Sequence, residues 1–338
     1  MYKPIFRITP RLLKLISLSS ELKTWINGAL IDVNWLPKLQ NDAAVRLAHS
    51  STAIEGNPLT LAEVEAIARG EATGAHEKSK KEVLNYLSAL RCIGKQNNRK
   101  AFGESDLLRL HRLITKDLIK NGGKYKNKQN RVINHRGHTV YIPPPPEKVP
   151  DLTRKLLGWL NSKESKELHP IIISSIAHHR LVSIHSFSDG NGRLARVLAI
   201  WILYGRGFDT HHLFSLDEYF ENDRQKYYQK IQQARDLDDE LTYWLEYVAQ
   251  GISEILQQTK DRIISLKTKS VSSKILLTKR QEDLLRFLCD KGRVRTADIE
   301  RAFKFSRARL NQILKPLVEA GLVQREGYTR ATSYRLVL

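Results

Sequence analysis

The sequence predicts a mainly α-helical protein with one small β-hairpin and a separate C-terminal domain. Three observations lead to this prediction. Apolar residues recur every three or four positions over most of the chain before residue 270. Turn residues separate two short β-prone pieces between residues 121 and 146. A small, polar and basic segment, residues 268–274, precedes a region with a different pattern, as a linker between domains does.

Composition limits the class of protein further. The chain has 338 residues and 41% hydrophobic content, which is typical of a folded protein rather than a disordered one. Its only cysteines, Cys92 and Cys289, lie too far apart in sequence to indicate a disulfide framework or a cysteine metal site. We expect a cytoplasmic protein. The formal charge of +20 favours polyanionic partners such as nucleotides or nucleic acid.

The helical pattern covers most of the body of the protein. Its longest apolar run, residues 197–204, is far shorter than the roughly 18–20 residues that cross a bilayer, so it predicts a buried helix and no membrane partner. The segments with helical periodicity are residues 59–70, 81–95, 105–121, 149–162, 169–184, 193–207 and 221–269.

The predicted hairpin lies between two of these helices. Its strands come from residues 121–134 and from the segment that starts at His138. The proline run 143–146 ends the second strand, because proline donates no backbone hydrogen bond. Taken alone, the proline run is equally typical of a stiff surface spacer.

The stretch His185–Arg196, HSFSDGNGRLAR, is predicted to be a loop between two helices. Asp-Gly and Asn-Gly are also hairpin signals, but neither flank alternates as a strand does. The first turn of a helix leaves N–H groups unpaired, and Gly190 and Gly192 would let them approach an anion closely. Arg193 and Arg196 share one face of the second helix, so the stretch suits a di- or triphosphate.

Three other residues of the stretch have chemical or structural roles to offer. Asp189 supplies a hard carboxylate oxygen of the kind that Mg²⁺ prefers. His185 carries an imidazole suited to accept a proton near neutral pH. Phe187, between them, is predicted to be a core anchor that fixes the loop.

The stretch matches H-x-F-x-[DE]-G-N-G-R-x-x-R and therefore resembles the signature of the Fic family of nucleotidyl transferases, with Ser186 where proline is common. The resemblance implies a Fic-type helical bundle that transfers AMP from ATP to a Ser, Thr or Tyr hydroxyl of a protein, including itself. By the same resemblance His185 would be the catalytic base and Asp189 would hold Mg²⁺. The nucleotide would be bound by Gly190, Asn191, Gly192, Arg193 and Arg196.

The resemblance extends to the hairpin and to a later helix. The hairpin is similar to the family's flap, which holds a target peptide by strand addition. Its edge would be formed by His138, Thr139, Val140 and Tyr141. Tyr227 would contact the adenine of the nucleotide, whereas Arg235 stands where some relatives have asparagine.

A second motif, STAIEGN at residues 51–57, predicts a helix end on its own, because Gly56 and Asn57 are stop signals. It also resembles the family's inhibitory helix, in which Ser51 and Glu55 take the key positions. The resemblance implies that Glu55 pairs with Arg196 and keeps the enzyme autoinhibited. An alternative role for Glu55 is to orient a water that removes AMP from modified protein.

The region after residue 275 predicts three helices followed by two short strands, and it resembles a winged helix-turn-helix domain. It contains fourteen Lys and Arg against seven Asp and Glu, which suits contacts with the phosphates of duplex DNA. The equal alternative is docking to another protein or to a second subunit in a homodimer. Candidate DNA contacts are Arg307, Arg309, Gln312, Lys315 and Arg330.

These observations divide the chain into an N-terminal helical region with the inhibitory motif (1–100), a catalytic core (101–267), a linker (268–274) and the winged domain (275–338). The leading hypothesis is an autoinhibited, Mg²⁺-dependent protein adenylyltransferase. Two alternatives are a DNA-binding regulator that senses ATP through the same fold, and the de-AMPylating hydrolase that would use Glu55.

Overall fold

A computed structural model describes residues 1–29, 35–95, 101–133, 137–269, 277–327 and 332–336. The chain forms two compact units. One consists of residues 1–27 and 43–259, and the other of residues 28–42 and 260–338. Residues 270–274 of the predicted linker lie outside the described part of the chain, and the helix before them continues to Lys269.

The body of the protein is helical, as the periodicity predicts. Its helices are α1 (Pro10–Gly28), α2 (Trp35–Ile54), α3 (Leu61–Ala68), α4 (Glu77–Gly94), α5 (Glu104–Ile114), α6 (Val149–Leu160), α7 (Lys163–Glu167), α8 (Pro170–Ile184), α9 (Asn191–Gly205), α10 (Leu216–Asn222), α11 (Arg224–Asp236) and α12 (Thr242–Lys269). Among the described residues, no helix combines the length and apolarity that a membrane span requires.

Helices α8 and α9 form the centre of the first unit. Nearly every residue of both helices is buried, including polar ones. The run Val197–Tyr204 lies in α9 and is buried throughout, as its apolar character predicts. Trp244 of α12 packs against this centre, with its indole N–H donating to the carbonyl of Ser175 at 2.8 Å. The loop between α8 and α9 is therefore held between two rigid, fully packed helices.

The predicted hairpin is present. Strand β1 (Val132–Ile133) pairs antiparallel with β2 (Thr139–Tyr141), and Val132 lies opposite Tyr141. His138 directly precedes β2, and residues 134–136 lie outside the described part of the chain. After β2 the prolines lead into a short 3-10 helix (Pro146–Lys148) and then into α6. The hairpin is thus anchored at its second strand.

The second unit contains α13 (Lys279–Lys291), β3 (Val294–Arg295), α14 (Thr296–Phe303), α15 (Arg307–Glu319), β4 (Val323–Glu326) and β5 (Ser333–Leu336). The strands form an antiparallel sheet in the order β3-β5-β4. The sequence predicts only β4 and β5, because two residues are too few to show the alternation of a strand. Ser306 caps α15 by accepting a hydrogen bond from the N–H of Arg309, as predicted.

One face of α15 packs into the core of the second unit, and the other is exposed. Leu310, Leu314 and Leu317 are buried with residues of α13, α14 and the sheet. The opposite face exposes four of the residues that the sequence predicts as DNA contacts, Arg307, Arg309, Gln312 and Lys315. The fifth, Arg330, lies outside the described residues.

Candidate active site

The loop between α8 and α9 is fixed by its backbone at both ends. His185 ends α8 in the left-handed conformation, with φ 51° and ψ 57°. Gly190 begins α9 at φ 79°, and a Cβ there would lie 2.9 Å from Cγ2 of Thr115. Glycine is therefore required at this position for both the backbone angle and the close approach. The two left-handed residues, His185 and Gly190, turn the chain sharply between α8 and α9.

Phe187 anchors the loop, as predicted, and its partner is a residue that sequence reasoning misses. The ring is fully buried and stacks on His111 of α5, with 3.7 Å between ring centroids. His111 Nε2–H donates to the carbonyl of Asp189 at 2.9 Å, while Nδ1 accepts from the N–H of Gly123 at 2.8 Å. Burial lowers the pKa of His111, which keeps this bridging ring neutral.

Helix α5 is shorter than the sequence predicts. Periodicity extends the helix to residue 121, whereas α5 ends at Ile114. Thr115 donates its hydroxyl hydrogen bond to the carbonyl of His111, and Asp117 adopts a positive φ of 57°. The chain then folds back so that Gly123 reaches the imidazole of His111. Because α5 ends early, His111 and Thr115 pack against the loop between α8 and α9.

Asn191 fastens the loop with its side chain. Its Oδ1 accepts from the N–H of Phe187 at 2.9 Å, and its Nδ2 donates to the carbonyl of the same residue at 2.8 Å. Both ends of the amide are thus used to hold the loop backbone. The main-chain N–H of Asn191 has no intrahelical acceptor and is left for an incoming anion.

The start of α9 supplies the anion site. The first intrahelical bond runs from the N–H of Leu194 to the carbonyl of Gly190, at 3.0 Å. The N–H groups of Asn191, Gly192 and Arg193 precede it and have no intrahelical acceptor. The helix also places a partial positive charge at this end, which favours phosphate oxygens.

The imidazole of His185 is positioned to accept a proton through Nε2. Its Nδ1–H lies 3.4 Å from the carbonyl of Val182, which leaves the lone pair on Nε2. Burial, aided by the positive charges of Lys126 and Arg235, lowers the pKa of His185 to about 4, against the opposing effects of the hydrogen bond to Val182 and the charge of Glu55. The ring is therefore neutral at physiological pH.

Asp189 presents the one acidic group of the loop. Its Oδ1 accepts from the N–H of Gly190 at 2.6 Å, and its side chain is 55% exposed. Among the described residues, no cluster of three or more His, Cys, Asp or Glu could hold a metal ion by itself. A single exposed carboxylate fits Mg²⁺ only when a substrate supplies further oxygen ligands.

The two arginines of the motif have very different surroundings. Arg193 is 3% exposed, with Nη2 at 3.4 Å from Asp189 and Nη1 at 3.7 Å from Oε1 of Glu82. Within the described residues, its Nε and Nη1 have no hydrogen-bond partner. Arg193 therefore has donors to offer to an anion.

Arg196, in contrast, is enclosed by partners. Its Nε donates to Oγ of Ser51 at 2.8 Å, and its Nη2 donates to the carbonyl of Ser51 at 2.9 Å and to Oε1 of Glu55 at 2.8 Å. The hydroxyl of Tyr227 lies 3.4 Å from Nη1, and Oδ2 of Asp217 lies 3.8 Å from Nε. The predicted contact between Glu55 and Arg196 is thus present.

The carboxylate of Glu55 also covers the first turn of α9. A Cβ added to Gly192 would overlap Oε1 of Glu55, so the carboxylate lies directly against this glycine. Helix α2 ends at Ile54, the N–H of Glu55 bonds to the carbonyl of Thr52, and Gly56 adopts φ 93°. Glu55 therefore places a negative charge where the helix would otherwise bind an anion.

Tyr227 is placed by the structure beside Arg196. Its side chain is 1% exposed, and its hydroxyl lies 2.9 Å from Nε2 of His178, whose pKa burial lowers well below its usual range. This arrangement favours a role in orienting Arg196, while contact with adenine stays a prediction. The neighbouring Tyr228 is more exposed, and its hydroxyl donates to the carbonyl of Ile54 at 3.2 Å.

The hairpin edge lies at the surface. His138, Thr139 and Val140 are exposed, and Ile142 is 69% exposed, so this edge is accessible to another chain. Tyr141 is half-buried, and its hydroxyl donates to the carbonyl of Ser183 at 2.9 Å. The last turn of α8, which ends in His185, thereby holds the strand.

The fold and the site define a class of protein. Two buried helices are joined by a glycine-rich loop that offers an anion site, two arginines and a neutral imidazole. This arrangement is typical of a helical enzyme domain that binds a phosphorylated ligand and moves a proton next to it.

Comparison with known proteins shows which family the chain resembles. Residues 101–203 match the model of the Fic/DOC family. The curated relatives include protein adenylyltransferase Fic of Culex quinquefasciatus, which is 30% identical over 208 residues, 60% of this chain and 39% of the relative. The protein of that name from Drosophila mojavensis is 33% identical over 178 residues, 51% of this chain and 34% of the relative. The chain thus spans less than half the length of these relatives.

Solved structures show the same fold. A Fic family protein from Desulfovibrio desulfuricans G20 superimposes with a TM-score of 0.70 at 24% identity, over 99% of this chain and 98% of that one. Fic-1 from C. elegans gives a TM-score of 0.62 at 24% identity, over 77% of this chain and 74% of that one. The mainly helical, Fic-type fold predicted from the sequence is therefore confirmed.

Proposed function

We propose that this chain is a protein adenylyltransferase that transfers AMP from ATP to a Ser, Thr or Tyr hydroxyl of a protein, including itself. The observation that carries the proposal is the complete loop His185–Arg196, with its neutral imidazole beside an anion-binding helix start. The names of the curated relatives support the same activity.

In the proposed reaction, His185 is the general base. Its Nε2 accepts the proton of the acceptor hydroxyl, and the resulting oxygen attacks the α-phosphorus of ATP. A new oxygen–phosphorus bond forms as the bond to the β-phosphate oxygen breaks, and pyrophosphate leaves. The proton then passes from the imidazole to solvent. General-base action of this kind accelerates a reaction by roughly 10²- to 10⁴-fold.

The phosphates would be held by the start of α9 and by the arginines. The free N–H groups of Asn191, Gly192 and Arg193 suit the oxygens nearest the attacked phosphorus. The spare donors of Arg193 and the guanidinium of Arg196 suit the outer phosphates. Asp189 would hold Mg²⁺ together with phosphate oxygens, and the ion, when bound, would neutralise charge on the leaving pyrophosphate.

We also propose that Glu55 autoinhibits the enzyme. While Glu55 is bonded to Arg196, the outermost phosphate would lose its partner and meet a like charge beside Gly192. Keeping a site 99% closed requires about 2.7 kcal/mol. A hydrogen bond to a charged group contributes about 1.5–3 kcal/mol. One such contact by Glu55, which is about one-third exposed, is of the required size.

The acceptor protein would bind along the edge of β2. An exposed strand edge with apolar side chains recruits an extended peptide by main-chain hydrogen bonds. Val140 and Ile142 are exposed there, and Tyr141 fixes the strand to the last turn of α8. A bound peptide would therefore run close to His185.

The test of the activity is incubation of the full chain with isotopically labelled ATP and Mg²⁺, with and without Glu55→Gly. Intact-mass analysis is expected to find one added AMP, more of it in the variant. Omission of Mg²⁺ is expected to abolish the addition. The proposal fails if neither protein acquires AMP and none is passed to proteins added as acceptors.

For the second unit we propose a winged helix-turn-helix domain that binds duplex DNA. The exposed positive charges of α15 support this, because Arg307, Arg309 and Lys315 are all exposed on a helix that follows a tight turn. Lys304 forms that turn with φ 52° and is itself exposed.

A mobility shift of random duplex DNA at increasing salt would test this proposal. Arg307→Ala is expected to weaken binding and to reduce the salt dependence by about one phosphate contact. Arg301→Ala is the matched control, because its exposed guanidinium is already paired with Asp298 on α14. Absence of a shift at low salt would favour docking to a protein or to a second copy of the chain.

A further inference from the structure

The guanidinium of Arg235, on α11, contacts the end of α8 and the hairpin at the same time. Its Nε donates to Oγ of Ser183 at 3.0 Å, and its Nη2 donates to the carbonyl of Val182 at 3.3 Å. Its central carbon lies 3.7 Å from the centre of the Tyr141 ring. This distance is well inside the range of an attractive cation–π contact.

Tyr141 is held from two sides by these contacts. The ring lies against Arg235, and the hydroxyl donates to the carbonyl of Ser183. Tyr141 is also the last residue of β2 and pairs with Val132 across the hairpin. The position of the hairpin strand is therefore set by one arginine and one turn of α8.

The same turn orients the imidazole. The carbonyl of Val182 accepts from Nδ1–H of His185 as well as from Arg235. The charged groups that act on His185 are Lys126 and Arg235, which disfavour its protonation, and Glu55, which favours it. Arg235 therefore contacts both the strand and the carbonyl that orients the base. Its positive charge also lowers the pKa of the base.

We infer that Arg235 is a positioning residue, which couples the strand that receives the acceptor to the carbonyl that orients His185. The inference rests on the proposed AMP transfer and deepens it. An acceptor hydroxyl and a base must meet within hydrogen-bond distance, so a single side chain that fixes both the strand and the base reduces the geometric freedom between them.

The kinetic test is a double-mutant cycle in the full chain carrying Glu55→Gly, with self-modification as the reaction. Arg235→Gln and Tyr141→Leu are each expected to slow the reaction by about 2- to 30-fold, the range that cation–π contacts span from exposed to desolvated sites. The double variant is expected to be no slower than the slower single variant, because both changes break the same link. Rates that multiply would overturn the inference.

Arg180→Gln is the matched control. Arg180 also stacks on a tyrosine, at 4.8 Å from the ring centre of Tyr2, and it pairs with Asp239 rather than with the last turn of α8. It is expected to leave self-modification within about twofold of the parent, below the smallest effect of a cation–π contact. Equal losses in Arg180→Gln and Arg235→Gln would assign the effect to general packing and overturn the inference.

A spectroscopic test does not depend on activity. The pKa of His185, measured by NMR titration of its labelled imidazole, is expected to rise in Arg235→Gln and to stay low in Arg235→Lys, which keeps the charge. Arg235→Lys is still expected to slow self-modification, since it loses the forked hydrogen bonds. An unchanged pKa in a folded Arg235→Gln protein would overturn the link to His185. If the parent transfers no AMP, the proposed function fails, and this titration still reads the contact between Arg235 and the base.

Discussion

The loop that carries His185 and the segment after α2 that carries Glu55 both lie at the start of α9. They differ in how far their side chains are free to bind a ligand. The loop is already assembled, because His111, Phe187 and Asn191 fix its backbone. The arginine next to Glu55 is instead fully occupied by its partners. The comparison supports the proposal that Glu55 would act on anion binding and not on the chemistry of the base.

The largest expected effect comes from a substitution in the loop that carries His185. His185→Ala in a Glu55→Gly background is expected to lower AMP transfer by roughly 10²- to 10⁴-fold, because the hydroxyl loses its base. ATP binding, followed by calorimetry, is expected to change little, since the anion site is made by other groups. A variant that transfers labelled AMP at the parental rate would remove His185 from the mechanism.

Removing the carboxylate of Glu55 is expected to have the next largest effect. Glu55→Gly is expected to raise self-modification by about 10- to 100-fold, which corresponds to loss of a hydrogen bond of about 1.5–3 kcal/mol to a charged group. The measurement is the initial rate of labelled AMP incorporation. Glu71→Gly is the control, because Glu71 also pairs with an arginine, Arg69, but at an exposed site. Equal rates in all three proteins would contradict inhibition by Glu55.

A milder change concerns Ser51, another hydrogen-bond partner of Arg196. Ser51→Ala removes the hydroxyl that accepts from Nε of Arg196 but leaves Glu55 in place. We expect self-modification to rise by about tenfold or less, because the partner that Arg196 loses is a neutral hydroxyl and not a charged group. Thr52→Val is the matched control, since the Thr52 hydroxyl donates only within its own helix, to the carbonyls of Ala48 and His49. A larger effect of Thr52→Val than of Ser51→Ala would contradict this assignment.

The smallest expected effect concerns pH. Burial lowers the pKa of His185 from its usual 6.5 to about 4, so the base stays neutral well below pH 6.5. Between pH 7 and 5.5, titration of His185 is therefore expected to change the kcat/KM for ATP of the Glu55→Gly variant by less than about twofold. An acid limb centred near 6.5 would show that the imidazole is more exposed than its surroundings indicate.

The same pKa values make a statement about stability. A buried histidine with a lowered pKa binds fewer protons in the folded state than in the unfolded one. His179, with a pKa of about 3, and His185 both belong to this group. Their contribution to the free energy of unfolding is fully present above pH 6.5 and is lost as pH falls, toward 4 for His185 and toward 3 for His179. Thermal unfolding measured across this range is expected to show a falling Tm.

Much of the site could be predicted from the sequence, because its key residues lie in short motifs. The string His185–Arg196 fixes a loop, a helix start and an arginine spacing within twelve residues. Glu55 is distant in sequence from Arg196, and only the resemblance of its motif to an inhibitory helix predicted their contact. The winged character of the second unit and the contacts of Tyr227 with adenine remain predictions.

The supporting residues could not be predicted, since they act through long-range contacts that leave little local pattern. His111 is 78 positions from the carbonyl that it holds, and Asp217 reaches Arg196 from another helix. The signal for His111 is a polar residue on the apolar face of α5, where Leu107, Leu110 and Ile114 are buried. Such a residue is usually a core histidine with a satisfied ring, which is also what His111 is.

The end of α2 has a consequence for how the proposed inhibition by Glu55 would be released. Glu55 lies just beyond the last helical residue, and its backbone is held by one bond to Thr52 before Gly56 turns the chain. Terminal turns of helices fray at far lower cost than the whole domain unfolds. Amide hydrogens of this turn should thus exchange with solvent faster than those of α9, and their exchange rate would report how often the carboxylate lifts away from the arginine.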